Sequence, residues 1–381
     1  MKITLICGAF PPRIDGIGDY TWWLSRELAA MGHDVTVDTS LAQTYSPIDG
    51  VTVNGRFDPM TGKGSEGLAA ELQRSPSDLV ILQYNPFSFG RRGFCLWVPL
   101  MLRGLKKLTF PPKIFVMFHE TTVPKWPWRY SIMYLWQLPL FRWVCQLADV
   151  ALVSREHWVP QIRKVSSKVP VHHLPVGSNI ALSTLDRVRA RNRLGIAQDE
   201  TVLGVFGSSH PSRMIDWIGE AARELALRIP DITLLYIGQD GTEIRRCCSG
   251  VRFRDLGPLP GDEIGECFRA MDCVIAPFID GLSTKRGSAI ASIQHGIPVA
   301  STKSSGTDRL FIEYRDSGLL LSEAKSKSDF AREFTEWFIL QKGGAKDRGG
   351  GLEKFYENHF HWKNIASRIV QLLDSKAAGN K

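Results

Sequence analysis

At 381 residues and 44% hydrophobic content, the chain is too long for one ordinary core and too apolar for a disordered one, and it suits two globular domains of similar size. Its 47 basic and 39 acidic residues leave a net charge of +8, which favours anionic partners such as nucleotides, phosphates or an acidic membrane surface. The seven cysteines are scattered, with Cys247 and Cys248 adjacent, so neither a Cys-x-x-Cys metal site nor a disulfide framework is expected. That cysteine pattern predicts a reduced, cytoplasmic protein, and no signal peptide is expected because Met1-Lys2 leads straight into Lys2-Ile3-Thr4-Leu5-Ile6, which reads as a buried strand. A glycine-bearing loop, Cys7 to Gly18, follows. Then comes a helix from Asp19 to Met31, with Asp19 as its cap, Gly32 as its stop, and Tyr20, Leu24, Leu28 and Met31 on one face. His33 to Val37 is the next strand. The Gly16-x-Gly18 pair lacks the third glycine of a dinucleotide fingerprint, since Thr21 stands there. The loop alone fits a ligand turn or a bare strand-to-helix turn equally well.

Further along, Leu79–Leu82, Ile114–Phe118 and Val150–Val153 read as strands whose continuous apolar character suits a parallel sheet covered on both faces. The stretch from Phe94 to Leu147 is the most apolar, yet Arg103, Arg129, Arg142, Pro99 and Pro139 break it below the roughly eighteen apolar residues a spanning helix needs. Tryptophans Trp97, Trp126, Trp128, Trp136 and Trp143 stand there beside Arg91, Arg92, Lys106, Lys107 and Lys125. That mixture is either helix-packing core or an interfacial surface for an anionic membrane over region 91–129. Pro175 to Ile180 is turn-rich and Asp186 to Arg193 is charged, so a linker is expected between Leu174 and Leu194.

After that linker the alternation restarts. Strands are predicted at Val202–Gly207, Thr233–Ile237, Cys273–Ala276 and Pro298–Ser301, with helices at Trp217–Arg228, Asp262–Met271 and Ser288–His295. Lys342 to Gly351 reads as a loop, and Trp362 to Leu373 as an amphipathic helix. The fold class is therefore α/β, with two Rossmann-like doubly wound domains in tandem. The segment Gly281-Leu282-Ser283-Thr284-Lys285-Arg286-Gly287-Ser288 enters a helix with glycines, hydroxyls and two cations, a physically good cradle for a diphosphate.

Several segments together resemble a family. They are the Gly16/Gly18 loop followed by Ser25 to Val35, the strand-end Phe118-His119-Glu120, Pro175 to Asn179, Ala270 to Phe278, and His295-Gly296-Ile297-Pro298-Val299. In order and spacing they resemble the family 4-like glycosyltransferases with the two-domain B-type fold. The resemblance implies an acceptor-side domain over 1–177, a nucleotide-sugar domain over 178–354 facing it across a cleft, and a C-terminal helix, 355–381, crossing back. It implies transfer of a sugar from a nucleotide-diphosphate donor with retention, without a metal or other cofactor. The acceptor would be a glycan, lipid-linked or small molecule, as in cell-envelope or exopolysaccharide synthesis at the inner face of the membrane, with no nucleic acid involved.

Carried onto this chain, the resemblance and the residues assign His119, Glu120 and Asp280 as candidate catalytic residues. Gly16, Gly18, Ser208, Arg213, Gly281, Leu282, Ser283, Thr284, Lys285 and Arg286 are candidates for the donor, and Asn85 and Asp15 for the acceptor. The chain also departs from the family. The two glutamates usually set eight positions apart before the Gly-x-Pro-Val turn are replaced by Ser283 and Ala291, and the glycine–arginine–leucine segment reads Gly207 to Arg213. A sugar-nucleotide epimerase or phosphorylase of the same fold, or a non-catalytic sugar-nucleotide binder, are the alternatives.

Overall fold

The computed structural model describes the chain except residues 43, 125, 127, 315–317, 344–349 and 379–381. It divides into two compact units, Met1–Val176 with Trp362–Lys381, and Gly177–His361.

The first unit opens with β1 (Lys2–Ile6), α1 (Gly16–Ala30), β2 (Asp34–Ser40), β3 (Val51–Phe57), α2 (Glu66–Arg74) and β4 (Leu79–Tyr84). It continues through α3 (Trp97–Leu105), β5 (Lys113–Phe118), α4 (Trp128–Leu147), β6 (Val150–Val153), α5 (Val159–Val165) and β7 (Val171–His173). Its strands form one parallel sheet in the order β3-β2-β1-β4-β5-β6-β7. Alternate residues of each strand feed opposite faces. Val80 and Leu82 of β4 join a core with α3 and α4, while Leu79 and Ile81 join one with α1. β3 was not legible as a strand because only Phe57 of its residues is buried.

The second unit carries α6 (Arg187–Leu194), β8 (Thr201–Phe206), α7 (Ile215–Ala226), β9 (Ile232–Ile237), α8 (Gly241–Cys247), β10 (Arg252–Asp255) and α9 (Gly261–Ala270). β11 (Cys273–Ile275), α10 (Gly287–Gln294), β12 (Val299–Thr302), α11 (Arg309–Glu313), β13 (Leu319–Ser322), α12 (Lys327–Gly343) and α13 (Gly350–His359) complete it. Its parallel sheet runs β10-β9-β8-β11-β12-β13. The last helix, α14 (Trp362–Ala378), belongs to the first unit, where Trp362 packs edge-on to Tyr20 of α1 at 5.0 Å.

The charged run expected to be linker is helical instead. Asp186 Oδ1 accepts from the Arg189 amide at 2.8 Å, and Gly195 ends α6 in the left-handed region at φ 63°. Arg191 is fully buried, pairs with Asp272 at 2.9 Å, and donates to the carbonyls of Ala197, Gln198 and Glu200. A buried pair of this kind costs about 3–5 kcal/mol to break from one side. Of the loop expected over Lys342–Gly351, residues 344–349 lie outside the described residues.

Candidate functional site

In an open parallel sheet the ligand crevice lies beyond the carboxyl ends of the strands, where the strand order reverses. In the first unit that point is between β1 and β4, and in the second between β8 and β11.

Beyond β1 in the first unit, the chain turns through Cys7 to Asp15 into α1. The cap of α1 is Asp15, not Asp19: Asp15 Oδ1 accepts from the amides of Ile17 at 3.0 Å and Gly18 at 2.8 Å. The helix thus starts nearly a turn earlier than the sequence predicts, because the competing carboxylate sits first in the chain. The two glycines differ in kind. A Cβ on Gly18 would stand 2.9 Å from the carbonyl oxygen of Ala9, whereas one on Gly16 would meet nothing within 4 Å. Gly18 is required by the packing of its own loop, and Gly16 faces open space. Burial pushes the Cys7 thiol up to about 12, which removes it as a nucleophile at neutral pH.

His119 follows β5 and is buried, with Nε2 2.8 Å from Oε1 of Gln83, a fully buried residue of β4. Which of the two donates follows the imidazole tautomer, and either way the amide fixes the ring's orientation. The Tyr20 ring stands edge-on to the imidazole at 4.9 Å, so the histidine is held on two sides. Gln83 was missed in the sequence because it sits inside an otherwise apolar strand. Asn85, after β4, spends its Oδ1 on the Phe87 amide at 3.0 Å and so shapes the turn that follows. Glu120 is partly exposed beside His119.

In the second unit Gly207 ends β8 in the left-handed region at φ 99°, and the loop after it carries exposed Ser208 and then Arg213. Arg213 is only 8% exposed. Its Nη2 donates to the Phe206 carbonyl at 2.7 Å and contacts Ser288 Oγ at 3.3 Å. Its Nε and Nη1 are buried and have no partner among the described residues. Burial, with Arg286 adding a like charge nearby, lowers its pKa to about 10.

Beyond β11, Phe278 lies under both guanidinium groups, 4.1 Å from that of Arg286 and 5.6 Å from that of Arg213. Asp280 pairs with Arg286 at 2.5 Å. Gly281 takes φ 75°, where a Cβ would strike Thr307 Oγ1 at 2.2 Å. Leu282 is buried and donates its amide to Thr302, which makes it part of the frame. Thr284 turns inward, giving its amide and hydroxyl to Asp308 Oδ2 at 2.6 and 2.8 Å. Ser283 is fully buried, and its hydroxyl has no partner among the described residues. Lys285 and Arg286 stand half-buried at the start of α10, whose cap makes no side-chain hydrogen bond to the first amides. Arg213 and Arg286 share the face of Phe278, and the helix start beside them has no carboxylate cap, an arrangement that can hold a dense anion.

Cavities also lie elsewhere in the molecule. One of about 710 Å³ sits at the amino ends of β11 and β12, lined by Arg187, Arg269, Asp272, His295 and Glu353 among others. Its charges are already matched, Arg187 to Asp272 at 2.7 Å and Arg269 to Glu353 at 3.2 Å, so it is a structural joint. His295 there is buried, with Nδ1 2.8 Å from the Ala291 carbonyl and Nε2 accepting from the Ser183 amide at 3.3 Å. Among the described residues no group of three or more His, Cys, Asp or Glu side chains could hold a metal.

The family model for group 1 glycosyl transferases matches residues 200–338, the stretch that holds the Arg213 and Arg286 loops. The second unit thus carries a group 1 glycosyl transferase domain over residues 200–338. No curated protein matches it. Solved structures of the same fold include sucrose-phosphate synthase from Thermosynechococcus elongatus, at 18% identity and TM-score 0.77, with 100% of each chain covered. WaaG, a glycosyltransferase involved in lipopolysaccharide biosynthesis, matches at 14% identity and TM-score 0.69 over 97% of this chain and 99% of that one. Anabaena Alr3699/HepE, solved in complex with UDP and glucose, matches at 14% and 0.68 over 98% and 100%. At these identities the likeness is one of fold. The chain keeps the cationic loop of its second unit while carrying Ser283 and Ala291 where the resemblance places glutamates.

Proposed function

We propose that this protein is a glycosyltransferase that takes its sugar from a nucleoside-diphosphate sugar whose diphosphate sits against Arg213, Lys285, Arg286 and the start of α10. The observation that carries the proposal is Arg213, a buried cation with two N–H groups left to donate. Burying such a group is costly unless an anion completes it. When the sugar–phosphate bond breaks, negative charge grows on the departing diphosphate, and these fixed donors stabilise it without a metal. Ser208 lies on the same loop as Arg213, and Ser283 supplies a hydroxyl where the family has a carboxylate. The reaction proceeds with retention.

His119 contacts the sugar in this scheme, oriented by Gln83, while Glu120, Asn85, Asp15 and the open side of Gly16 attend the acceptor and donor sugar. Asp280 positions Arg286 through their ion pair. The acceptor is a glycan, lipid-linked or small molecule of cell-envelope or exopolysaccharide synthesis, met at the inner face of a membrane.

The test is a panel of nucleoside-diphosphate sugars, read by melting temperature and by release of nucleoside diphosphate. One donor is expected to stabilise the protein by about 2.7 kcal/mol at a hundredfold excess over its Kd. A panel in which no donor raises the melting temperature or is consumed would sink the proposal.

A further inference from the structure

Between Asp78 and Asp149 the chain has nine Lys and Arg residues and a single acid, Glu120. The whole net charge of +8 therefore resides in this stretch, and the remaining residues are neutral in sum. The same stretch holds α3 and α4. Both helices bury one side in a common core, Val98, Leu102 and Leu105 from α3 beside Leu140, Phe141 and Val144 from α4. Their outer sides consequently lie on the same side of the first unit's sheet.

Those outer sides are apolar where water-facing helices are usually polar. Leu96 and Leu100 are exposed at the start of α3, four residues apart, with Phe94 just before them. On α4, Trp128 is 68% exposed, Ile132 48% and Leu135 73%, a stripe at helical spacing. Trp126 precedes it at 79% exposure. Exposed Arg103 and Lys107 close the far end of α3. Lys125 and Pro127 lie outside the described residues, as does the side chain of Arg129.

Where the apolar faces meet, Arg91, Arg92, Phe94 and Trp136 line a cavity of about 390 Å³. Arg92 sits in the left-handed region at φ 55°, uncommon for a residue with a Cβ. Its carbonyl accepts from Trp136 Nε1 at 3.2 Å and Gln137 Nε2 at 3.1 Å, which holds that turn. Gln137 in turn accepts from the Val123 amide at 2.9 Å, tying the cavity to the segment that leaves His119.

We infer that this face docks on an anionic lipid bilayer, with the α3 and α4 stripes entering the interface and the Arg91–Arg92 cavity taking a lipid phosphate. Cations beside exposed tryptophan and leucine match such a surface in both charge and polarity. Among the described residues no helix is long and apolar enough to cross a membrane, so the contact is one of docking. The acceptor of the proposed transfer is then drawn from that bilayer, a step that rests on the transfer proposal.

Vesicle flotation of the full chain tests the inference, with phosphatidylglycerol-containing vesicles against pure phosphatidylcholine. The protein is expected to float with the anionic vesicles and to be released by high salt. Arg91→Gln/Arg92→Gln should weaken binding tenfold or more, on the order of fivefold per charge. Trp128→Ser/Leu135→Ser should also weaken it about tenfold, with an unchanged melting temperature because both side chains are exposed. Equal binding to neutral vesicles, no flotation, or variants that float like the parent would overturn it. So would a dimer in light scattering that Trp128→Ser/Leu135→Ser dissolves, since the face would then pair with a second copy. The donor-induced melting shift is a separate readout. If it persists while flotation fails, only the docking inference falls. If flotation holds but no donor is bound, the transfer proposal falls instead.

Discussion

The carboxyl ends of the two sheets are built to opposite electrostatic plans on the same strand order. At the end of the second unit's sheet, Arg213 and Arg286 flank one phenylalanine, and α10 starts without a side-chain cap. At the end of the first, a buried histidine is held by a neutral amide and a phenol ring, and the nearest helix start is already capped by Asp15. A helix start left open invites an anion, and one closed by a carboxylate does not. The doubly wound sheet sets where a ligand can sit, and the residues after each strand decide its charge.

Breaking the cationic end should have the largest effect. Arg213→Ala is expected to lower kcat/KM about 10³-fold, the scale of losing a preorganised donor to a leaving anion. Arg213→Lys should recover only part of this, because an ammonium cannot reproduce the fork. Steady-state kinetics on the donor identified by melting would check both, and a drop of less than tenfold would remove Arg213 from the anion site.

The next effect separates structure from chemistry within the same unit. His295 is buried neutral, and desolvation lowers its pKa from 6.5 to about 4. The unfolded chain binds this proton first as pH falls, so stability is full above pH 6.5 and is lost as pH drops toward 4. The loss amounts to about 3 kcal/mol. Urea titrations of the parent and His295→Gln between pH 7 and 4 should show the variant with a flatter profile over that window. Parallel profiles would mean that carboxylates carry the whole pH dependence.

At the neutral end, His119→Ala should cost about 10²-fold in kcat. Gln83→Met, which removes the orienting amide while filling its space, should cost about tenfold and alter the pH–rate profile. Unchanged kinetics in both would reduce His119 to a core residue. The smallest contrast lies in the β1–α1 loop. Gly18→Ala should lower stability by about 1–3 kcal/mol, because the new methyl meets backbone that cannot yield. Gly16→Ala should leave stability within about 0.5 kcal/mol. If Gly16→Ala then lowers turnover at unchanged melting temperature, the open side of Gly16 faces a ligand.

Much of this site was legible in the chain, and the reasons for the rest are local. The cradle from Gly281 to Ser288 was visible as glycine, hydroxyl and cation before a helix. Within it, Thr284 looked equivalent to Ser283, yet one hydroxyl goes to Asp308 and the other has no partner among the described residues. That choice depends on a carboxylate 24 residues away in the chain. Arg213 could be guessed as a cation, but its burial could not, since its cover comes from residues after another strand. Asp186–Arg193 misled as linker because its charge pattern is that of solvent, whereas Arg191 is drawn inside by Asp272.

By itself the sequence determined the two doubly wound α/β units, their approximate strands and the cationic loop, because these follow from local periodicity, glycine placement and chain length. Tertiary structure alone decided which groups are spent and which are left to act. Asp15 caps α1, Asp280 takes up Arg286, and Gln83 holds His119, while Arg213 keeps two donors in reserve. Hydrogen bonds and desolvation are settled between residues far apart in the chain, and no pattern along the sequence encodes which partner arrives first.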